Sequence, residues 1–443
     1  MSFISANKIY KYFTHSRRIN FKEGIMKKKL LVLFIFLAAS PLFAYKFSAS
    51  SFIDMGKESG KQPSFFYQDS DLRSFDNGKK ILLGFAGYAD YQRKSAMYYT
   101  NSDTLSRSEI IVPIDEYFAS HPELLINKYS ISKAPKAMYP FTIKKIIHYD
   151  ESAGTASLVV QNMGKDTKYN LTAFRYFIVH WNLKKNRITS AHIIADGFES
   201  VSDYFNSNPL KSRAGLNAVS NIIYEGFYDS VNKKGYVCYS QDKRTLDSSG
   251  KAPKDSTKIF YVAECTESGV KNIISQEFAV KSPNRFFFDQ ASSSILAVVY
   301  TEFGAAGSAY LVNLKDKTTK LIKTPLTTYG AAFDPDGTRL YMLSNKTGKI
   351  QVYNRKTDKV IQEFYAGKVA WKIGFVQKDE LAFFNKDGIQ IISTKGTLKT
   401  ISKMSASQYT FGQNPYNYPQ GGLITEGNIY VGWNKTIFHV KYR

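Results

Sequence analysis

The sequence predicts an all-β fold, a β-propeller of seven four-stranded blades, and three observations lead to it. The first is a stretch, 331–364, that reads as four short strands joined by three tight turns. In it Asp334-Pro335-Asp336-Gly337 suits a chain reversal, because proline presets φ and glycine accepts a positive φ. Thr347-Gly348 makes the second turn and Lys356-Thr357-Asp358 the third; the strands between are rich in β-branched and aromatic residues. The second observation is a recurring pair, an aromatic followed by Asp just ahead of a strand: Phe75-Asp76, Tyr149-Asp150, Tyr228-Asp229, Phe288-Asp289 and Phe333-Asp334. Phe375-Val376 keeps the aromatic and drops the Asp, and the last three spacings are 60, 45 and 42 residues. A period of roughly 40 to 50 residues with four strands per repeat marks propeller blades. The third observation is a shared ending, seen at Leu311-Val312-Asn313, Val352-Tyr353-Asn354 and Ile391-Ile392-Ser393.

The aromatic openings give six blades. A seventh comes from 421–425, 428–433 and 436–442, which is only three strands. The stretch 45–53 is expected to supply the fourth, closing the ring and removing an open sheet edge; eight blades, or six with a small extra domain, are the alternatives. The first two intervals between openings are long, 74 and 79 residues. Their surplus reads as short helical insertions after blades 1 and 2: 114–127, with a proline interruption, and 198–205. Blade 3 instead expands between its second and third strands, at 241–256.

In an up-and-down blade, the connection to the next blade and the loop between strands two and three share a face. These insertions should therefore crowd one face over blades 1 to 3. Binding residues tend to sit on loops held by a rigid scaffold, so this face is the candidate site. Its loops carry Lys133, Lys136, Lys211, Arg213, Lys243, Arg244, Lys251 and Lys254, a basic rim suited to an anionic partner. Solvated insertions with no function are the plain alternative. A second candidate surface is 409–422, where Tyr409, Phe411, Tyr416 and Tyr418 sit on a Pro/Gly-bearing loop. Such aromatics are common at interfaces; packing over the junction of blades 6 and 7 is the alternative.

The 331–364 stretch resembles the YVTN-type β-propeller repeat, a relative of WD40 repeats. The resemblance rests on the Phe-Asp-Pro-Asp-Gly-x-x-Leu-Tyr opening from Phe333, the Asn-x-x-Gly-x-Ile-x-Val-Tyr centre from Asn345, and the Thr-x-Lys-Val-Ile close from Thr357. It covers one blade closely and decays elsewhere. It implies a propeller and a general scaffold role, without a particular ligand.

The chain has 443 residues, 43% of them hydrophobic, with 60 Lys+Arg against 37 Asp+Glu and a formal charge of +23. Residues 1–44 hold eight of the basic residues and one acidic residue, so +16 falls on the remainder. That favours attraction to anionic surfaces, or reflects a Lys-rich solvated exterior, since no block of like charge stands out. Met26-Lys27-Lys28-Lys29 precedes an apolar run from Leu30 to Ala39 and a small-residue end at Ala44. This is the pattern of a secretory signal, too short to cross a bilayer. The expected organisation is thus a non-native upstream extension at 1–25, a signal peptide at 26–44 and the propeller at 45–443. The product is expected in the periplasm or at the cell surface, not integral to the membrane after cleavage.

Nucleophile and phosphate motifs are absent: no G-x-S-x-G, H-E-x-x-H or P-loop occurs. His121, His148, His180, His192 and His439 have no mutual metal spacing, and His148 and His180 read as sheet residues. Asp334-x-Asp336-Gly337 lacks the rest of a calcium loop and reads as a turn. Cys238 and Cys265 fall on neighbouring strands of one blade. Pairing from the loop ends sets Cys238 opposite Tyr261, while a disulfide needs a different register. The innermost strands read as apolar and small, which favours packing over a channel site. The reading is a binding scaffold for a protein or an anionic envelope component, with no cofactor, no metal and no nucleic acid. The alternative is a propeller enzyme of lactonase or dehydrogenase type with its site at the central channel.

Overall fold

The computed structural model describes residues 47–54, 71–75, 80–84, 96–101, 107–126, 141–166, 171–198, 211–253, 256–278, 281–300, 307–322, 327–367, 370–385, 387–409, 421–433 and 436–442. They belong to one compact unit, Phe47–Arg443. The expected leader and extension lie outside the described residues.

Twenty-eight strands run through the described residues. After β1 (Phe47–Asp54), blade 1 is β2 (Asp71–Phe75), β3 (Lys80–Gly84), β4 (Ala96–Asn101) and β5 (Arg107–Ile111). Blade 2 is β6 (Phe141–Asp150), β7 (Thr155–Asp166), β8 (Leu171–Asn182) and β9 (Arg187–Phe198). Blade 3 is β10 (Asn217–Asp229), β11 (Lys234–Thr245), β12 (Thr257–Thr266) and β13 (Gly269–Phe278). Blade 4 is β14 (Arg285–Asp289), β15 (Ser294–Val298), β16 (Ala309–Asn313) and β17 (Thr318–Ile322). Blade 5 is β18 (Gly330–Phe333), β19 (Arg339–Leu343), β20 (Lys349–Asn354) and β21 (Lys359–Tyr365). Blade 6 is β22 (Ala370–Gln377), β23 (Glu380–Asn385), β24 (Gly388–Ser393) and β25 (Lys399–Ser405). Blade 7 is β26 (Gly421–Thr425), β27 (Asn428–Trp433) and β28 (Thr436–Tyr442), with β1 as its outer strand. The β1–β28 register runs from Phe47 opposite Tyr442 to Asp54 opposite Thr436.

Each innermost strand touches the next, from β2 through β6, β10, β14, β18 and β22 to β26, and β26 touches β2. That closed circuit makes the chain a β-propeller. Its core lies between blades. Phe260 of blade 3 stacks on Phe286 of blade 4, in a layer with Val262, Ile295 and Val312. Equivalent layers join blades 4 and 5 through Leu296 and Leu340, and blades 5 and 6 through Tyr341 and Phe383. Because neighbours cover both faces of a blade, its second strand holds a consecutive run of buried, mainly apolar residues. Ser294–Val298 is wholly buried, and Phe383 and Phe384 are both fully buried. Each such phenylalanine contributes about 1.5–3 kcal/mol on leaving water.

The turns follow from local chemistry. Gly337 and Gly348 take φ of +69° and +68°, and Asp358 takes +59°. The Asp of the recurring pair closes the turn after the innermost strand. Asp150 accepts from the Ala153 N–H at 2.9 Å and Asp334 from the Arg339 N–H at 2.9 Å. In two blades it also reaches the next one. Asp229 of blade 3 accepts from Gln290 Nε2 and Ser293 Oγ of blade 4. Asp289 of blade 4 accepts from Arg355 Nη1 of blade 5 at 2.7 Å. A motif that reads as punctuation is therefore also a set of inter-blade links.

Blades 2 and 3 are joined more closely than the others, in one eight-stranded sheet through a parallel bridge between Phe198 and Ser220. Gly197 permits it: a Cβ there would lie 2.4 Å from Val219 O. Phe198 ends β9, and the rest of the expected helix at 198–205 lies outside the described residues. The expected expansion at 241–256 is shorter, because 241–245 continues β11; blade 3 spends those residues on ladder pairs such as Lys243 with Thr257. After blade 1, helix α1 (Ile114–Ser120) ends before Pro122, which opens a 3-10 turn, Pro122–Leu124. Ile114 and Phe118 are fully buried, and the Phe118 ring packs 4.9 Å from both Phe141 and Phe177. Among the described residues no helix is long and apolar enough to cross a membrane.

Candidate functional site

The predicted basic rim divides once it is placed in space. Lys211 and Arg213 fall on a 3-10 turn, Lys211–Arg213, in the connection from β9 to β10. This connection and the loop from β11 to β12 are hydrogen-bonded to each other. The Gly215 N–H donates to Leu246 O, and the Leu246 N–H donates to Leu216 O, both at 3.0 Å. Ala218, Leu246 and Ala252 form a small core beneath them. The loop is further tied by Asp247, which accepts from the Ser249 and Lys251 N–H groups. The two segments are one built surface, on the same side of blade 3.

Its charges are not all available. Arg213 is only 4% exposed, which corrects its reading as a rim residue: it belongs to the support. Arg244 is also structural. Its Nε and Nη2 grip the two oxygens of Asp242 at 3.0 and 2.9 Å, and its Nη1 donates to Pro253 O at 2.7 Å. Lys211, Lys243 and Lys251 remain exposed. Lys133, Lys136 and Lys254 lie outside the described residues, as do Phe411, Tyr416 and Tyr418. Tyr409 ends a one-turn helix, α2 (Ala406–Tyr409).

The innermost strands hold what sequence reading missed. They are not uniformly apolar and small: Arg73 on β2, Lys145 on β6, Glu225 on β10, Arg285 on β14 and Lys372 on β22 meet in one charged layer. In the sequence each lies three to five residues ahead of Asp76, Asp150, Asp229, Asp289 or Val376. Arg73 Nη2 donates to Glu225 Oε1, and also to Gly226 O at 3.0 Å. Lys145 Nζ stands 3.9 Å from the same Glu225 oxygen, which also accepts from the Gly226 N–H. Burial pushes the Glu225 carboxyl up, but Arg73, Lys145, Gly226 and Lys372 together outweigh it and hold the group below its usual range. For Lys372 burial acts downward. Glu225 opposes it, while Arg73, Arg285 and Lys145 add to it, so the ammonium titrates below its usual value. Arg285 is held differently, with its guanidinium 3.8 Å over the Tyr329 ring and 4.7 Å from that of Tyr300. Its Nε is buried and makes no hydrogen bond among the described residues. The signal that would have found this layer is a charged residue recurring three to five positions ahead of the second residue of each aromatic-led pair.

His148, His180 and the two cysteines sit within the packed blades. His148 stacks on Tyr228 at 3.9 Å and pairs with Thr155 Oγ1, and His180 pairs with Ser157 Oγ. Burial lowers the pKa of both. No cluster of three metal-ligating side chains occurs among the described residues. Cys238 faces Val262 and Cys265 faces Gly235, so the register keeps the two apart and both thiols are free and buried. Burial raises the Cys238 thiol well above its usual value and pushes Cys265 up to about 12. A thiolate-specific reagent is expected to label neither in the native protein and both in denaturant; rapid native labelling would place one of them at the surface.

No family model matches the chain, and no curated protein is similar to it. Among solved structures it is similar to a chain of the mitotic checkpoint complex, at 8% identity and TM-score 0.48, covering 89% of this chain and 91% of that one. It is similar to the RRP9 WD40 repeats at 6% identity and TM-score 0.47, covering 90% and 100%. It is also similar to BamB from Moraxella catarrhalis at 8% identity and TM-score 0.44, covering 89% and 100%. The fold is a β-propeller.

Proposed function

We propose that this propeller is an exported binding scaffold that recruits an acidic partner of the envelope on the loop face of blade 3. The observation that carries the reading is the built surface there. Two inter-strand segments are cross-linked by backbone hydrogen bonds over their own small core, and they leave Lys211, Lys243 and Lys251 in solvent. A rigid loop pair loses little entropy on binding, and like charges on it attract an acidic partner from a distance. Export is supported by the basic–apolar–small pattern at 26–44.

The test has two arms. The N-terminus of the protein recovered from the producing cell's envelope fraction is expected near residue 45; recovery only from cytosol with the leader intact would sink the export reading. Immobilised protein is then compared with a Lys211→Ser/Lys243→Ser/Lys251→Ser variant for retention of envelope extract. A partner lost in the variant and released by salt is expected; a partner retained equally by both would remove the loop face.

A further inference from the structure

We propose that the central channel carries a second site, independent of the loop face, that binds a compact polyanion whose oxyanion groups are carboxylates or phosphates. Four cations and one carboxylate, on five different innermost strands, make up the charged layer, a net charge of +3. Like charges gathered inside a fold repel one another, and low-dielectric walls strengthen the effect. The single carboxylate is already engaged, since Glu225 accepts from Arg73 and from its own neighbour's N–H. It leaves the Arg285 and Lys372 side of the layer with more positive charge than it can balance.

Arg285 is the anchor. Two tyrosine rings fix its plane by cation–π contact, which orients the guanidinium without neutralising it. Among the described residues it has no carboxylate partner, and its buried Nε has no acceptor. A planar, always-charged fork held in this way matches the two oxygens of a carboxylate or phosphate. Lys372 and Lys145 supply further positive charge from β22 and β6. The equivalent positions of the other two blades, four residues ahead of Asp334 and of Glu426, are Gly330 and Gly422. At these positions the two blades carry glycine in place of a charged side chain. A bound oxyanion gives Arg285 Nε an acceptor and favours the charged form of Lys372.

The experiment follows the thermal midpoint of the purified full chain as inorganic phosphate or malonate replaces chloride at constant ionic strength. A saturable rise is expected, and the anion that saturates at lower concentration tells phosphate from carboxylate recognition. In Arg285→Gln and in Lys372→Met the apparent affinity should fall about tenfold or more, as loss of a charge-assisted hydrogen bond to a buried oxyanion requires. Without added anion, Lys372→Met should melt at or above the wild-type temperature, since it removes like-charge repulsion; a merely structural Lys372 would melt lower. The Lys211→Ser/Lys243→Ser/Lys251→Ser variant should keep the full rise. No saturable rise with either anion would overturn the proposal, as would a rise unchanged in both channel variants. A rise lost only in the loop variant would move the anion to the loop face and overturn the channel site while leaving the scaffold reading intact.

Discussion

Replacing Asp289 with Ala is expected to cost about 4 kcal/mol of stability, the range found when one partner of a buried ion pair is removed. Asp289 is 3% exposed, and its Oδ2 receives Arg355 Nη1 at 2.7 Å. The same guanidinium donates to Gly337 O and Ser294 Oγ and lies over the Phe333 ring. Without the carboxylate, a cation stays buried between blades 4 and 5 with only neutral acceptors. Arg355→Ala should cost a similar amount. The double variant should cost less than the sum of the singles by about 2 kcal/mol, because each single leaves the other charge stranded. By contrast, Lys320→Ala breaks a pair with Asp358 that is about half exposed on each side, and a surface pair of this kind is worth under about 1 kcal/mol. Denaturant titration of all four proteins checks this. Additive losses at Asp289 and Arg355 would show that the two side chains act separately.

Asp229 should govern the acid limit. It is fully buried and accepts from the Val231 and Asn232 N–H groups, from Asn232 Nδ2, from Gln290 Nε2 and from Ser293 Oγ at 2.6 Å. Burial pushes its carboxyl up, but the donors prevail and bring it from the usual 3.8 to about 2. A carboxyl depressed on folding stabilises the native state above its unfolded pKa, and that contribution disappears as pH falls through the folded value. Asp229→Asn, whose amide cannot accept all five bonds, should cost about 3 kcal/mol at neutral pH. The gap between wild type and variant should hold down to about pH 4 and then narrow toward pH 2. A gap that stays constant from pH 7 to pH 2 would mean that the charge of Asp229 contributes nothing.

The parts of this fold legible in the sequence are those set by near neighbours. Pro335 and Gly337 specify a turn by their own backbone preferences, and the strands of blade 5 follow from it. The strands at 421–442 likewise fall at 421–425, 428–433 and 436–442, as read from the sequence, with Gly427 in the turn between the first two. Arg213 is different. It reads as one more basic loop residue, and only the packing of two distant segments buries it. The channel layer is the stronger case. Arg73 and Lys372 lie some three hundred residues apart in sequence, and in a short strand nothing local distinguishes a side chain facing the channel from one facing a neighbouring blade. Only the superposition of repeats, by their aromatic-led pairs, brings the five charged positions to within two residues of one another.

The pairing of β1 with β28 sets a schedule for the molecule's assembly. A chain made from its N-terminus presents β1 first and must wait until residue 442 has emerged before that strand finds its partner. Blades 1 to 6 gain all their strands within that interval, while β1 still offers an unsatisfied row of backbone donors and acceptors at its end. Contacts between residues so far apart form slowly, because the loop must close before the pairing is rewarded. Where two nascent molecules meet before either has closed, each can donate its β1 to the other's β28, giving an exchanged dimer with the same hydrogen bonds.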